Sequence, residues 1–482
     1  MQNNALILAL KKLSRKEMTR FRDFSLSPYY NKHAGVRDLV GYFSEKYPDF
    51  SEKNCDRKAI WRRIFPERKY DYPHLALLFT YALRLADKFF AAEKLAEKPA
   101  EEQFLTAEFL RERRLFKTYE KTMRSIEKIL EKASYRDADF YFRQYLFADE
   151  RDQKYLKITR RRADDGLQEK QDALDVWFAA MKLRDACEMR MRQRYFGEEY
   201  EADWLKEISE KIKNRPQDYL EIPAVYIYFL VYEMLTGEAV EDYFVLKNKV
   251  EVTAAFFSKS EQQNIYNYLQ NFCILQINKG NSYFLREIFS IYQSQLEREL
   301  IFEKNGTLAE FHYKNIVTTG LRSQAYDWVR NFLEEYKPRL SPAVAENAYS
   351  FNLANYYFAI EKYKEILPLL IQVEYSDMRY KLDSRALLLR TYYHLGEAEA
   401  FYALCDSFKQ LLLRSKDLTE FQRTGYQNMI RMSRQIYTWH AGKNFIGAEE
   451  FAREGEKITT EVNELNPLFN AEWLKGRLAH QT

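Results

Sequence analysis

Glycine and proline are scarce in this chain, whose 482 residues include only 14 Gly and 11 Pro. Average usage is roughly 7% and 5% for these residues, so turns must be few and the elements between them long. Runs in which apolar and polar residues alternate, as a half-buried strand requires, are also rare. Apolar residues instead recur at spacings of three and four, as in Leu382, Ala386, Leu389 and Tyr393. The sequence therefore predicts an all-α protein.

Signals for a membrane or an oxidising compartment are missing as well. No run of apolar residues reaches the roughly 18 that a membrane-spanning helix needs. The apolar patch at residues 5–10 is followed, not preceded, by its lysines and has no small-residue cleavage site, unlike a secretory signal. The four cysteines are far apart in the sequence, which argues against a disulfide framework or a metal knuckle. We therefore expect a cytoplasmic protein with no membrane contact.

Signatures of catalysis are equally scarce. The six histidines include no pair at the spacing of metal ligands on a helix, and none belongs to a known nucleophile motif. No glycine-rich loop that would hold a phosphate is present. Paired acids such as Asp164-Asp165 are charge runs, which are more often solvated than catalytic. The sequence predicts a protein that is not an enzyme and has no metal or cofactor.

The chain does contain a repeat of paired helices. Four positions, three of them asparagines, each precede an apolar residue by 14 positions, which places the two members of a pair on the two helices of one helix-turn-helix unit. The pairs are Asn271 and Leu285, Asn315 and Val329, Asn352 and Ile366, and Leu387 and Phe401. Stacked units of this kind bury one continuous core. We therefore expect an α-solenoid of antiparallel helix pairs, with a helical N-terminal module.

One stretch of this region resembles a known helical repeat. The spacing of 35 residues between Ile366 and Phe401 is close to the 34-residue tetratricopeptide period. The order Leu353, Ala354, Tyr357, Tyr363, Ile366 and Leu370 resembles the tetratricopeptide pattern. The resemblance covers about residues 269–413 and implies a right-handed superhelix whose inner groove holds a peptide. Where that family usually has a glycine, the four units carry Cys273, Val317, Ala354 and Leu389.

The asparagine series supplies the candidate groove residues. In the tetratricopeptide family the equivalent position of the first helix faces the groove, which implies a peptide-binding role for Asn271, Asn315 and Asn352. An amide can donate to and accept from the main chain of an extended peptide. Lys314 and Arg390 are further groove candidates. The alternative is that each asparagine hydrogen-bonds between neighbouring helices and fixes their stacking, since buried polar groups need partners.

A second candidate surface lies near the N-terminus, because residues 1–100 have a net charge of +8 while the whole chain has +4. Basic residues there flank Trp61 and Phe65, namely Arg57, Lys58, Arg62, Arg63, Arg68 and Lys69. A helix, a turn at Pro66 and a second helix from Pro73 would form a helix-turn-helix that contacts nucleic acid. The alternative is an aromatic core surrounded by solvated charges.

The chain is expected to have three segments. We predict a basic helical module at 1–99, less regular helical hairpins at 100–300, and tetratricopeptide-like repeats with a C-terminal capping helix at 301–482. Within the first segment, a capping box at Ser14 and Glu17 begins one helix, and further helices are expected near residues 36–43, 57–65 and 73–94. The run 159–166 is expected to be a charged connection.

Two functions are compatible with these features. The sequence favours a non-catalytic scaffold that binds a protein or peptide partner in a superhelical groove. The alternative is a nucleic-acid-linked regulator, in which the basic module contacts DNA or RNA and the repeats bind a protein partner. The two differ in which end of the chain carries the essential contact.

Overall fold

The structure is a computed structural model that describes residues 3–158, 166–303, 305–371, 378–415 and 418–479. These residues form 23 α-helices and four short 3-10 helices. They contain no strand, and their only β-type pairing is an isolated antiparallel bridge between Phe302 and Leu308. The prediction of an all-α fold is confirmed. The charged connection predicted at 159–166 lies outside the described residues except for Gly166, which begins a helix.

The chain forms two compact units, Met1–Tyr232 and Glu233–Thr482. Each unit is described below by itself. None of the described helices combines the length and the apolar composition needed to cross a membrane. The finer division into segments 1–99, 100–300 and 301–482 stays a prediction.

The first five helices share one core and follow the expected boundaries closely. They are α1 (Ala5–Leu10), α2 (Arg15–Leu26), α3 (Ala34–Lys46), α4 (Arg57–Ile64) and α5 (Tyr72–Ala96). The predicted capping box is present, because Ser14 accepts from the Glu17 backbone N–H and the Glu17 carboxylate accepts from that of Ser14. Pro73 lies in the first turn of α5, where its missing N–H costs nothing. Apolar side chains from all five helices form the core.

The remainder of the first unit consists of longer helices. These are α6 (Pro99–Glu112), α7 (Phe116–Glu131), α8 (Ala138–Ile158), α9 (Gly166–Phe196), α10 (Leu205–Asn214) and α11 (Pro223–Gly237), in which the unit ends; a 3-10 turn spans Pro216–Asp218. An ion pair joins α6 to α8, with Arg111 Nε 2.6 Å from Glu150 Oε1 and both side chains only 11% exposed. The Tyr119 hydroxyl of α7 donates to the Glu150 carbonyl oxygen at 2.9 Å.

The second unit continues as a series of helices that pack against their neighbours in the chain. They are α12 (Val240–Thr253), α13 (Lys259–Asn278), α14 (Phe284–Glu297), α15 (Glu310–Arg322), α16 (Tyr326–Tyr336), α17 (Ala345–Ala359), α18 (Ile366–Ile371), α19 (Met378–Leu395), α20 (Ala398–Arg414), α21 (Glu420–Gly442), α22 (Ala448–Glu464) and α23 (Ala471–Ala479). Short 3-10 helices span Ala254–Phe256, Lys337–Arg339 and Tyr363–Glu365. The last helix, α23, packs on α21 and α22.

The four repeats found in the sequence correspond to four helix pairs. The first repeat positions fall on α13, α15, α17 and α19, and the positions 14 residues later fall on α14, α16, α18 and α20. Four residues at the positions where tetratricopeptide repeats usually have a glycine have no exposed surface, namely Cys273, Val317, Ala354 and Leu389. Val329, Ile366 and Phe401 are likewise fully buried on the second helices. These seven positions therefore lie at contacts between helices.

Each of these pairs turns through one residue in the left-handed backbone region, nine positions after the first repeat residue. The φ angles are 90° at Gly280, 60° at Gln324, 60° at Glu361 and 71° at Gly396. The next backbone N–H bonds to a carbonyl in the last turn of the first helix, as from Ala325 to Gly320 at 2.9 Å. This is the Schellman arrangement for ending a helix. It recurs in the first unit, where Arg114 has a φ of 59° between α6 and α7.

The turn at Glu361 yields a stability prediction. A residue with a Cβ atom is strained in the left-handed region, whereas glycine is not. We expect Glu361→Gly to raise the free energy of unfolding by about 0.5–1 kcal/mol, and Glu361→Ala, which keeps the Cβ atom, to give no such gain. Thermal unfolding of the three proteins measures the difference. A lower melting temperature for the glycine variant would contradict this account of the turn.

Gly320 lies where α15 closely approaches two other helices. A Cβ atom built on Gly320 would be 2.5 Å from Cγ2 of Val329 on α16 and 3.1 Å from the Phe289 ring on α14. Val329 is completely buried. The three helices can therefore pack at this distance only because residue 320 has no side chain.

Candidate functional site

The three equivalent asparagines occupy three different environments. Asn352 is 1% exposed, and its Nδ2 donates to the Ala348 carbonyl oxygen one turn earlier in α17, at 2.8 Å. Asn315 is exposed on α15. Its side-chain amide hydrogen-bonds to the buried Tyr292 phenol, which opposes the rise in the Tyr292 pKa that burial causes. Asn271 on α13 is half-buried. The Asn352 amide is thus used inside its own helix, and the groove role of the asparagine series stays a prediction.

Lys314 takes part in a set of contacts that joins four helices of the second unit, α15, α17, α19 and α21. Its ammonium on α15 pairs with Asp383 on α19, which lies 69 residues away in the sequence. Asp383 Oδ1 in turn accepts a hydrogen bond from the Tyr426 hydroxyl of α21 at 2.6 Å. The Lys314 Nζ atom lies 5.5 Å from the ring centroid of Phe351 on α17 and 5.2 Å from that of Tyr380 on α19. We call these five residues the Lys314 network.

The Lys314 network brings side chains of α15, α17, α19 and α21 to one place. Lys314 and Asp383 are 30% and 34% exposed, so the ion pair reaches the surface of the second unit. Burial, assisted by the Asp383 charge, raises the pKa of Tyr426 and keeps its hydroxyl protonated as a donor. Of these residues the sequence singled out only Lys314. Asp383 and Tyr426 carry no local signal, because their partners lie on other helices.

Arg390, the other groove candidate, lies half-buried on α19. Its guanidinium lies 4.5 Å from the ring centroid of Phe358 on α17. Burial lowers the pKa of Arg390 to about 10, and the Asp383 charge opposes that shift. The buried Nε atom of Arg390 has no hydrogen-bond partner in the described part of the chain.

The basic N-terminal candidates are all solvent-exposed. The set is Arg57, Lys58, Arg62, Arg63, Arg68 and Lys69. Trp61 points inward, is 3% exposed, and donates through Nε1 to the Arg68 carbonyl oxygen at 3.1 Å. The aromatic residues thus form core, as the alternative interpretation held, and the basic side chains surround it. Contact with nucleic acid stays a prediction.

A cavity of about 460 Å³ adjoins one of these basic residues in the first unit. Its lining comes from α2, α3 and α4, and includes Arg22, Arg37 and Arg63 together with the carboxylates of Asp38 and Glu45. Arg63 Nη2 lies 3.5 Å from Glu45 Oε2. The mixed charges give this cavity no single preference for an anion or a cation.

Cysteine and metal chemistry have no assembled centre in the part of the chain that the structure describes. All four cysteines are free and buried, namely Cys55, Cys187, Cys273 and Cys405, and burial raises the pKa of each thiol. No group of three or more His, Cys, Asp or Glu among the described residues is arranged to hold a metal ion.

The tetratricopeptide resemblance depends on the residues of a few repeats, and the Lys314 network is built from residues outside that pattern. In comparisons with family models, curated proteins and solved structures, nothing matches this chain.

Proposed function

We propose that this chain is a non-catalytic scaffold that binds a peptide or protein partner along the first helices of a tetratricopeptide-like superhelix. The observation that carries the proposal is the ion pair between Lys314 and Asp383. These residues belong to α15 and α19, and the whole α17–α18 pair lies between them in the sequence. Side chains from units that are not adjacent meet where a stack of units curves, on its inner side. Such a concave side is where helical repeats offer an extended binding surface.

The partner surface begins on α15. Phe311, Lys314 and Asn315 are spaced three and four residues apart, so they share one face of this helix. Phe311 is 59% exposed, and Asn315 is exposed beside it. An apolar ring, a cation and an amide together suit a partner segment that carries an apolar residue next to an acidic one. The partner's carboxylate would compete with Asp383 for Lys314.

The proposal includes a cytoplasmic location. Four free thiols, all buried, are compatible with a reducing compartment.

Variants of the α15 face test the proposal. We expect the double variant Phe311→Ala and Lys314→Glu to lose at least about tenfold in affinity for its partner, because an apolar contact and a charge-assisted bond are both removed. Cross-linking and mass spectrometry from native cells first identifies the partner, and purified components then give the affinity. The matched control is Phe445→Ala with Lys457→Glu, which makes the same changes at two exposed positions.

Two outcomes would count against this function. One is unchanged affinity in the α15 double variant when circular dichroism shows it folded. The other is a set of cross-links that avoids α15, α17, α19 and α21 altogether.

A nucleic-acid-linked regulator is the second candidate, favoured by the exposure of all six basic residues on α4 and the loop after it. On this alternative, affinity for duplex DNA falls at least about tenfold between low and physiological salt. It is then lost in the triple variant Arg62→Glu, Arg63→Glu and Lys69→Glu. The control Lys53→Glu, Arg84→Glu and Lys88→Glu makes the same charge change at other exposed positions of this unit. Equal DNA binding by the two triple variants would exclude the alternative.

A further inference from the structure

Two arginines of the second unit each have a donor that no described residue satisfies. Arg390 on α19 and Arg477 on α23 each have a buried Nε atom without a hydrogen-bond partner among the described residues. Neither forms an ion pair with a described carboxylate, whereas Arg431 and Arg434 of α21 pair with Glu461 and Asp406. A buried donor that has no acceptor is costly. Each guanidinium therefore presents a donor and a charge that no described carboxylate pairs with.

A hydrogen bond between two aromatic side chains joins the helices that carry the two arginines. Trp473 Nε1 of α23 donates to His394 Nε2 of α19 at 3.1 Å. Arg390 lies one turn before His394 and Arg477 one turn after Trp473, so each shares a helix face with its neighbour. Both guanidiniums lie close enough to His394 for their charges to act on it. Arg390, His394, Trp473 and Arg477 form what we call the arginine cluster.

The charge of the arginine cluster follows from the state of His394. Burial, and then the charges of Arg477 and Arg390, lower the pKa of His394 to about 4. The ring is therefore neutral near pH 7, and because Nε2 is an acceptor, its proton is on Nδ1. The cluster then carries two positive charges. Asp383, the acid that acts on Arg390, is already bound by Lys314 and Tyr426.

Apolar rings surround these donors. The Phe358 ring lies against the Arg390 guanidinium at 4.5 Å, and the Tyr363 ring stacks on His394 with a centroid distance of 4.3 Å. Rings exclude water, which strengthens the attraction between a guanidinium and an anion. Both arginines keep part of their surface exposed, so an anion in solution has access to them.

We infer that the arginine cluster binds a phosphate dianion, either free or carried on a partner's side chain. A phosphate group brings about −1.5 to −2 charges and three acceptor oxygens, which balances two guanidiniums and satisfies their planar donor forks. A single carboxylate would leave one of the two charges unbalanced. This inference does not depend on the proposed scaffold function, because inorganic phosphate alone tests it.

The experiment titrates the full chain with sodium phosphate at constant ionic strength, using calorimetry. We expect Arg390→Gln and Arg477→Gln each to weaken phosphate binding at least about tenfold, while Arg453→Gln, an exposed arginine of α22, binds as the wild type does. If the glutamine variants do not fold, Arg477→Lys replaces them. It keeps the charge but loses the planar fork, so we expect an intermediate loss of phosphate affinity.

Three ligands separate the sources of the anion. Phosphotyrosine or phosphoserine binding more tightly than inorganic phosphate assigns the site to a phosphorylated partner, and weaker binding assigns it to free phosphate. Glutamate binding as tightly as phosphate would overturn the inference in favour of a carboxylate site. Equal phosphate affinity in the wild type, Arg390→Gln and Arg477→Gln would overturn it entirely.

Discussion

Gly320→Ala is expected to lower the free energy of unfolding by about 2 kcal/mol, because overpacking a tight helix contact costs roughly 1–3 kcal/mol. The new methyl group would lie 2.5 Å from Cγ2 of Val329, which is itself fully buried. A buried, β-branched valine has few rotamers to turn into, so we expect the new methyl group to push α15 and α16 apart. The same substitution at Gly476, where nothing lies within 4 Å of the added Cβ atom, is expected to stabilise α23 by up to about 1 kcal/mol.

Chemical denaturation of the two alanine variants gives the comparison, and hydrogen exchange locates the loss in the second unit. Val329→Ala in the Gly320→Ala background should recover part of the lost stability, since it removes the clashing methyl group. If Gly320→Ala were as stable as the wild type, the close approach of α15, α14 and α16 would not be a real constraint.

Arg111→Met is expected to destabilise the first unit by roughly 3–5 kcal/mol. It leaves the Glu150 carboxylate, which is 11% exposed, without its cation. Burial already raises the pKa of Glu150 and Arg111 opposes that shift, so its loss raises the pKa further. A carboxyl group whose pKa is higher in the folded state costs stability as the pH rises through that pKa. The loss should therefore be larger in mildly alkaline than in mildly acidic solution.

Calorimetry at the two pH values measures this difference. Arg113→Met is the control, because Arg113 is exposed and lies 3.9 Å from the neighbouring Glu112. A loss of stability that did not change with pH would mean that the methionine disturbs packing rather than leaving Glu150 unpaired.

Local signals in the sequence predicted helix ends and helix pairs well. The capping box at Ser14 and the proline of α5 act within one turn of the chain, so their effect is visible in a few consecutive residues. The 14-residue spacing places its two members on successive helices, because a helix, its turn and the next helix are consecutive in the sequence. A recurring left-handed turn was missed, although Gly280 and Gly396 stand at the same register and offered the signal.

The candidate site was far less accessible from the sequence. Asp383 and Tyr426 meet Lys314 across several helices, and a spacing rule within one unit cannot identify such partners. Equal register also did not give equal surroundings. Asn352 is enclosed at 1% exposure while Asn315 is exposed, because burial depends on the side chains of neighbouring helices rather than on position within the repeat.

The four buried thiols can serve as built-in probes of local unfolding. Cys55 and Cys187 report on the first unit, and Cys273 and Cys405 on the second. A buried thiol is inert to alkylating reagents until the surrounding helices separate. Pulsed alkylation followed by peptide mapping would therefore time the opening of each region in the unmodified chain, with no probe to introduce.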